Sequence, residues 1–562
     1  MLTGRLRRGA VLAAWVLASC SPRVGAQGVP GQHLATEAPS PPVTLSEDLG
    51  TFHRAATTSS PQAQSYFDQG MRLVWALNLE EAQRSFEQAA RLDSSCASCC
   101  WGVALSLGPH INLRALPERT RAAHRWIGKA AALKSGGSPV EQALIEALAR
   151  RYADPPPTDP AGQVALDQAY ADAMREVAKR FPDDDDVQAL YVEALMDLRP
   201  RDYWTRDGAP QPGTLEIVST LEKILKRQPK HPGANHYYVH ALEGSPHPEK
   251  ALPSAERLKD AMPGAGYVVH MPSHIYLRLG RYEEAAAADL KAVGADRRYR
   301  SNSYPPDSYR AYAAHDCHCL CWTNMMQGRA AEAIAMAREA ASEVPAPLLK
   351  SNPDLAGMDF FLADLILSQA RFSLWDDVLD SPYPGQGFPY LLGIWRYGRG
   401  LALAGKNRPD EAQVELDSLE AVAAATPPEL MENVNSAQAL LRIALETLTG
   451  MIAFRRGQVD EAVSHLEHAV RGEDSLRFAQ PSDWINPVRH LLGAVLLQSE
   501  RPSQAEAVFR EDLKRHPENG WALYGLFESL RQEGKEGEAQ KTLQRFKRAW
   551  QGADVTSSVM RF

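Results

Sequence analysis

Small, apolar and polar positions follow a helical period along most of the chain, and period-two runs of β-branched residues are scarce. Within residues 66–93, Gly70 lies in the first half, and Ala82, Phe86 and Ala89 follow at spacings of four and three. Residues three and four apart share one face of an α-helix. The pattern therefore predicts two short helices joined by a turn, with small residues that let the helices approach and an aromatic side chain that fills the gap.

The same order of residues recurs at six further places in the chain. These copies lie at residues 279–292, 327–340, 410–412, 457–462, 501–505 and 534–539. Ala505 and Ala539, in the last two copies, are 34 residues apart, which is the period of the tetratricopeptide repeat (TPR). The chain resembles that family, and the resemblance implies an all-α fold, a TPR-type helix-pair α-solenoid. Residues 117–229 are helical by composition but fit the repeat poorly.

Composition narrows the classes of partner. The chain has 562 residues, of which 44% are hydrophobic and 23% charged, as in an ordinary globular protein. The chain has a formal net charge of -8, whereas nucleic-acid-binding proteins usually carry an excess of basic residues. No nucleic-acid partner is therefore expected. The inner surface of a helical solenoid commonly holds a peptide or a protein, so such a partner is expected instead.

The N-terminal residues have the features of an export signal. Arg5, Arg7 and Arg8 precede an apolar stretch, residues 10–17, that is too short to span a bilayer. The following Leu-Ala-Ser-Cys resembles a lipobox, which implies a lipid on Cys20; cleavage after Ala26 is the alternative. The sequence predicts a periplasmic or outer-membrane lipoprotein that contacts the membrane through this lipid alone.

Four segments follow from these patterns. Residues 1–20 are the predicted signal peptide with its lipobox. Residues 21–61 are rich in Pro, Ser, Thr, Gly and Ala and are predicted to form a flexible tether. Residues 62–345 form a TPR-like helical block that carries a histidine cluster, and residues 346–562 form C-terminal TPR repeats.

Histidines recur at the repeat spacing. His236, His240 and Glu243 share one face of a predicted helix, and His270 and His274 follow the two histidines by 34 residues. The two pairs therefore occupy equivalent positions in neighbouring repeats and should face the inner surface side by side.

A third helix is predicted to join them. Aligning Gly328 with Gly280 places His318 opposite His270, with His315 one turn earlier. Pro272 is expected to begin its own helix, which would leave His270 outside the first turn.

Imidazoles on facing helices, with a carboxylate in reach, are how helical proteins build transition-metal sites. Zinc, copper and iron are not distinguished by these residues. A polar ligand groove and purely structural histidines remain the alternatives. An imidazole separation of His240 and His274 beyond about 8 Å would exclude a shared ion, because each bond is about 2 Å long.

Six cysteines besides Cys20 are candidates for disulfides or metal ligation. They are Cys96, Cys99, Cys100, Cys317, Cys319 and Cys321. Six cysteines allow fifteen pairings, and the sequence leaves them open. Residues 96–99 do not attach a c-type haem, because Cys100 stands where that motif needs His. Residues 315–321 mix imidazoles with thiols, which suits copper; a disulfide from this segment to Cys99 or Cys100 is the alternative.

Two functions are compatible with these features. The first is an exported scaffold that binds a peptide, a protein or another ligand in its concave groove, with or without a transition metal. The second is a metal-dependent hydrolase or oxidase that uses His236, His240, His270 and His274, with Glu243 as a further ligand or as general base. Several segments resemble a poorly characterised group of exported bacterial TPR proteins, and this resemblance implies the fold and no established activity. These segments are residues 67–70, 96–102, 108–112, 236–243 and 270–274.

Overall fold

The computed structural model describes residues 43–112, 116–302, 307–352, 355 and 357–556. Cys20 and the predicted signal peptide lie outside these residues. The described residues from Val43 onward belong to one compact unit made of 25 α-helices, three short 3₁₀ helices and one two-residue β-ladder. In this ladder β1 (Met431–Glu432) pairs antiparallel with β2 (Asn435–Ser436).

The helices follow one another with short connections. Their bounds are α1 Pro61–Trp75, α2 Leu79–Leu92, α3 Ala97–Ser106, α4 Pro117–Leu133, α5 Pro139–Leu148, α6 Pro160–Arg180, α7 Asp185–Asp197, α8 Thr214–Arg227, α9 Pro232–Leu242, α10 Leu252–Leu258, α11 Gly266–Arg278, α12 Tyr282–Asn302, α13 Asp307–Met326, α14 Ala330–Glu343, α15 Ala346–Ser351, α16 Phe360–Arg371, α17 Trp375–Leu379, α18 Pro389–Gly405, α19 Pro409–Ala425, α20 Ala437–Arg455, α21 Val459–Ser475, α22 Val488–Gln498, α23 Pro502–Arg515, α24 Gly520–Gln532 and α25 Glu536–Ala549. The 3₁₀ helices are Lys134–Gly136, Ala149–Arg151 and Pro248–Ala251. Consecutive helices pack as pairs, so the predicted all-α, TPR-type helix-pair solenoid is confirmed.

One turn type joins the two helices of most pairs. At this turn a single residue takes a left-handed conformation, with φ between 55° and 78°. The residues at this position are Leu77, Gly280, Gly328, Ser373, Asn407, Gly457, Glu500 and Gly534. A left-handed residue ends a helix by turning the chain back while the last carbonyl groups still accept hydrogen bonds. The repeated turn therefore produces the repeated hairpin.

The glycines and the aromatic side chains of the repeat pack against one another. A Cβ atom added to Gly70 on α1 or to Gly102 on α3 would lie 2.5 Å from the ring of Phe86 on α2. Near the C-terminus, a Cβ on Gly493 or Gly525 would lie 2.3 Å or 2.1 Å from the ring of Phe509. In each case an aromatic ring fills the space that two glycines leave on the flanking helices.

Replacing Gly525 with alanine is expected to lower the free energy of unfolding by about 1–3 kcal/mol, because the added methyl group overlaps a ring that cannot move. Urea unfolding followed by circular dichroism measures this loss. Gly537→Ala is the matched control, because nothing lies within 4 Å of its added Cβ. Since alanine favours a helix over glycine, the control should be neutral or stabilising. Equal stability of the two variants would contradict the packing argument.

Residues 43–61 of the predicted tether lie within the described part of the chain. Residues 43–60 precede α1 without regular structure, yet they are held against the helices by hydrogen bonds and ion pairs. Arg54, which is 9% exposed, contacts Asp184 at 2.9 Å and Asp186 at 2.7 Å. The prediction of flexibility is wrong for this part, because buried ion pairs compensate the ordering entropy that composition alone suggested.

The last helices return to the middle of the chain. The Trp521 indole N–H donates to the Met325 carbonyl at 2.8 Å, and Asp554 accepts from the Ala330 backbone N–H at 2.6 Å, at the start of α14. Helices α14 and α16 also pack together across residue 345. The division predicted at that residue is therefore not a boundary between separate folding units.

Helix α20 has the length and apolar character of a membrane span, and it is the one such helix in the described part of the chain. Its most apolar window is 61% buried inside the molecule. Leu441 and Leu448 of this helix fill the space beside Gly393 and Gly400 of α18. These contacts are those of a core helix in a wound helical array.

Candidate metal centre

Six metal-ligating side chains meet where three neighbouring helices pack in the molecule's interior. They are His236 and His240 on α9, His270 and His274 on α11, and His315 and Cys319 on α13. Helix α11 contacts both α9 and α13. Five of the six side chains are at most 4% exposed, and His315 is partly exposed. Where these six side chains lie, the predicted groove is therefore largely closed to solvent.

The four residues on α11 and α13 form the tightest group, here named the His/Cys cluster: His270, His274, His315 and Cys319. One donor atom from each lies within 4.8 Å of the others. The Nε2 atoms of His270 and His274 are 2.6 Å apart, and the Cys319 Sγ lies 3.5 Å from His315 Nε2. Two ring nitrogens that face each other this closely are placed to share a cation, since each carries a lone pair when its hydrogen is on the other nitrogen.

A second group shares one member of the cluster. His240, Glu243 and His274 also offer donor atoms within 4.8 Å of one another. The rings of His240 and His274 are 5.8 Å apart between centroids, inside the limit of about 8 Å that a shared ion requires. His240 and His274 are therefore close enough to ligate one ion.

The histidines are oriented by oxygen acceptors on their other ring nitrogen. Nδ1–H of His270 donates to Asp289 at 2.7 Å, and Nδ1–H of His236 donates to the Trp75 carbonyl at 2.7 Å. Glu243 accepts from Nδ1–H of both His240 and His274. Such acceptors fix the tautomer that leaves the Nε2 lone pair free for a metal.

Burial shifts the pKa of three of these donors. It lowers the pKa of His270 and His315 well below the usual value, and the neighbouring imidazoles lower both further. Burial also raises the pKa of the Cys319 thiol well above its usual value. Without an ion, His270 and His315 therefore present neutral imidazoles, the form that binds metals, and Cys319 presents a thiol that would release its proton to an incoming cation.

Buried carboxyl groups surround His270 on the side away from the cluster. Asp289 and Asp316 are fully buried, and Asp316 Oδ1 lies 3.8 Å from His270 Nδ1. Among the described residues, no lysine or arginine nitrogen lies within 4 Å of either. Burial raises the pKa of both well above the usual value, and a positive charge nearby would favour their ionised form. A cation in the cluster would supply that charge.

Asp289→Asn is expected to weaken metal binding by about 10–100-fold, because the amide can present its N–H to His270 and reverse the tautomer. Competition with a chromogenic chelator measures the affinity. Asp364→Asn is the matched control, because Asp364 accepts from Nδ1 of His318 at 2.7 Å, outside the cluster. Equal losses in the two variants would indicate a general loss of packing.

His318 does not join the cluster, contrary to prediction. It bonds to Asp364 and packs against Phe360 and Phe361. His315 and Cys319 take its place, 45 residues after His270 and His274, whereas the glycine alignment assumed 48. The difference of three residues is nearly one helical turn.

The expected helix start at Pro272 is also wrong. Helix α11 begins at Gly266 and contains Pro272, so His270 lies inside the helix and faces His274. Every residue from Gly266 to Leu277 is buried. Packing on all sides offsets the one hydrogen bond that proline cannot make.

The six cysteines that the structure describes divide into one disulfide and four free thiols. Cys96 and Cys99 are bonded to each other, so the alternative of a bridge from residues 317–321 to Cys99 or Cys100 is wrong. Cys100, Cys317 and Cys321 are buried free thiols outside the cluster. Only Cys319 is placed to ligate with the histidines.

Two neighbours of the cluster were not anticipated from the sequence. Asp289 lies on α12 and orients His270. The Tyr267 ring lies between the histidine pairs, 5.5 Å from the His236 ring and 6.1 Å from the His270 ring. Tyr267 precedes His270 by three residues, so its place on the same helix face was the one available signal.

No known family model and no curated protein matches this chain. Among solved structures, it is similar to the human IFIT1 dimer with m7Gppp-AAAA, at 15% identity over 85% of this chain and 95% of that one, with a TM-score of 0.33. The APC/C hetero-tetramer Cut9–Hcn1 aligns at 14% identity, 88% and 78% coverage and a TM-score of 0.32. Yeast Tom70 aligns at 11% identity, 86% and 93% coverage and a TM-score of 0.29. At these values the likeness carries no argument about family, ligand or partner.

Proposed function

We propose that this protein is a metal-binding helical-repeat protein whose His/Cys cluster holds one zinc or copper ion. The observation that carries the proposal is the convergence of three imidazoles and one thiol, from two adjacent helices, within 4.8 Å in the interior. A set of donors this close, on helices that are fixed by packing, is what a first coordination shell requires.

The donor types narrow the choice of ion. Three ring nitrogens and a thiolate suit ions of borderline or soft character, whereas magnesium and calcium select oxygen ligands. Zinc favours four nitrogen and sulfur ligands in a tetrahedron, and copper also favours a mixture of imidazole and thiolate. Zinc(II) and copper(I) are therefore the ions we propose. Binding of iron in their place would contradict this choice of ion.

The cluster supports metal binding more directly than hydrolysis. Glu243, the general base of the enzyme hypothesis, has both carboxylate oxygens engaged with Nδ1–H groups of His240 and His274. A carboxylate held in this way orients ligands and is poorly placed to take a proton from water. A peptide or protein partner in the array, and the expected absence of a nucleic-acid partner, stay predictions.

Metal uptake tests the proposal. The purified untagged protein, freed of metal by a chelator, should bind about one equivalent of zinc(II) or copper(I) per chain. Cobalt(II) should give the near-ultraviolet charge-transfer band of a thiolate ligand, and Cys319→Ser should remove the band. Cys100→Ser is the control, because Cys100 is another buried free thiol that lies outside the cluster. Failure to take up any of these ions in stoichiometric amount would overturn the proposal.

We also propose export as a lipoprotein, on the basis of the N-terminal residues. The Cys96–Cys99 disulfide is consistent with an oxidising compartment. Wild-type protein expressed in a bacterium should then sediment with membranes, and a Cys20→Ser variant should not. Sedimentation of the variant with membranes to the same extent as the wild type would contradict a lipid anchor on Cys20.

A further inference from the structure

A second site lies in the C-terminal helices and is independent of the His/Cys cluster. A cavity of about 320 Å³ opens between α16, α18, α22, α23 and α24. This volume suits one small molecule, at the lower end of the range for ligand pockets. Its walls include the aromatic rings of Tyr397, Phe509, Trp521 and Tyr524.

Arg371, the last residue of α16, brings a positive charge to this apolar cavity. Its guanidinium lies 3.8 Å from the centre of the Trp521 ring and donates to His490 Nδ1 at 2.6 Å. No carboxylate oxygen of the described residues lies within 4 Å of it, whereas the other arginine of the wall, Arg531, is paired with Glu528 at 2.8 Å. Arg371 is only partly exposed, and a charged side chain in such a place ordinarily has a direct ionic partner.

The nearest acidic groups compensate Arg371 only indirectly. Asp512 lies behind His490, whose Nε2–H donates to it at 2.9 Å. Glu473 accepts from the Val488 backbone N–H at 3.0 Å, and burial raises its pKa to about 8, so it is mostly neutral at pH 7. Burial lowers the pKa of Arg371 to about 9, which leaves the guanidinium charged at the same pH.

Asn486, which lines the same cavity, carries a buried hydrogen-bond acceptor without a donor. Asn486 donates through Nδ2 to the Leu367 carbonyl at 3.0 Å, one helical turn before Arg371, and this bond fixes the orientation of the amide. Its Oδ1 is buried and has no hydrogen-bond partner among the described residues. An unsatisfied buried carbonyl lowers stability, and a ligand with an N–H or O–H group that reaches it would offset this cost.

We propose that this cavity binds a small carboxylic acid with an apolar or aromatic body and one N–H or O–H donor. The carboxylate accepts from Arg371, the donor group binds Asn486 Oδ1, and the body packs against Trp521, Tyr524 and Phe509. N-acylated hydrophobic amino acids combine these three features. The proposal concerns residues that the metal site does not use, so either can fail without the other.

Isothermal titration of the full-length protein tests the site with three probes. N-acetyl-L-phenylalanine should bind, and N-acetyl-L-phenylalaninamide, which keeps the N–H and loses the charge, should bind about tenfold more weakly or not at all. 3-Phenylpropionate, which keeps the charge and loses the N–H, should also bind about tenfold more weakly than the first probe.

Two variants assign the binding to the named residues. Arg371→Gln should weaken binding of N-acetyl-L-phenylalanine about tenfold and should leave binding of the neutral amide unchanged. Arg531→Gln is the matched control, because Arg531 lines the same cavity and is paired with Glu528; it should bind the acid as wild type does. Binding of acid and amide with equal affinity, or no binding of either acid at millimolar concentration, would overturn the proposal, and neither outcome depends on a variant that fails to fold.

Discussion

Replacing both His270 and His274 with alanine is expected to reduce bound zinc or copper from about one ion per chain to about a tenth or less. The two side chains supply half of the His/Cys cluster, and His274 also belongs to the group with His240 and Glu243. The remaining donors, His315 and Cys319, are too few to complete a tetrahedral shell. Metal content is measured by mass spectrometry on protein purified without a tag.

The same variant should lose the stabilisation that metal gives. An ion present at a thousand times its dissociation constant stabilises the folded state by about 4 kcal/mol. Wild-type protein should therefore melt at a clearly higher temperature with metal than without it, and the double variant should show no such difference. Comparing each protein with and without metal separates this effect from the cost of removing two buried imidazoles.

His247→Ala is the matched control for the loss of a histidine. The His247 side chain is 63% exposed, pairs with Glu249 and belongs to neither group of candidate ligands around the cluster. It should retain the metal and the metal-dependent rise in melting temperature. A metal content that falls equally in the control and the double variant would place the ion elsewhere.

Replacing Arg151 with methionine is expected to cost about 3–5 kcal/mol of unfolding free energy, the usual cost of breaking a buried ion pair from one side. Arg151 is 1% exposed and contacts Asp197 at 2.5 Å and Asp167 at 3.1 Å. Asp197 is itself buried, so removal of the guanidinium leaves a carboxylate without a partner in a medium that solvates charge poorly. Urea unfolding at neutral pH measures the loss.

Two comparisons test this explanation. The double variant Arg151→Met/Asp197→Leu should recover much of the lost stability, because two apolar side chains of similar volume can replace a buried ion pair at little cost. Lys179→Met breaks the pair with Glu176, whose side chains are 64% and 71% exposed, and should cost less than about 1 kcal/mol. If the double variant is no more stable than Arg151→Met, the loss comes from packing and not from the unpaired charge.

The sequence predicted the helical array from local features. Ala82, Phe86 and Ala89 mark one helix face, and the copies of this pattern along the chain mark the pairs. Each of these signals depends on residues within one or two turns, where backbone geometry alone decides which side chains are neighbours. The two histidine pairs were found for the same reason, since spacings of four within a helix and 34 between repeats are local quantities.

Several features of the candidate metal centre could not be derived in this way. Whether His315 or His318 faces His270 depends on the register between α11 and α13. Aligning the glycines that follow these helices gave this register wrongly by nearly one helical turn. The place of Pro272 within α11 depends on the burial of that helix on every side. The disulfide depends on which cysteines the fold brings together.

By itself, then, the sequence determined the helices, their pairing and the repeat, because these follow from the chemistry of residues that are close along the chain. Only the tertiary structure decided how tightly the array is wound, and therefore that the histidines lie in a closed interior with Cys319 and the carboxyl group of Asp289. The winding of the array is the sum of many small rotations between neighbouring helix pairs. Each rotation depends on the way many side chains pack together at the contact between two pairs. The winding also leaves Arg371 and Asn486, 115 residues apart in the sequence, on the wall of one cavity.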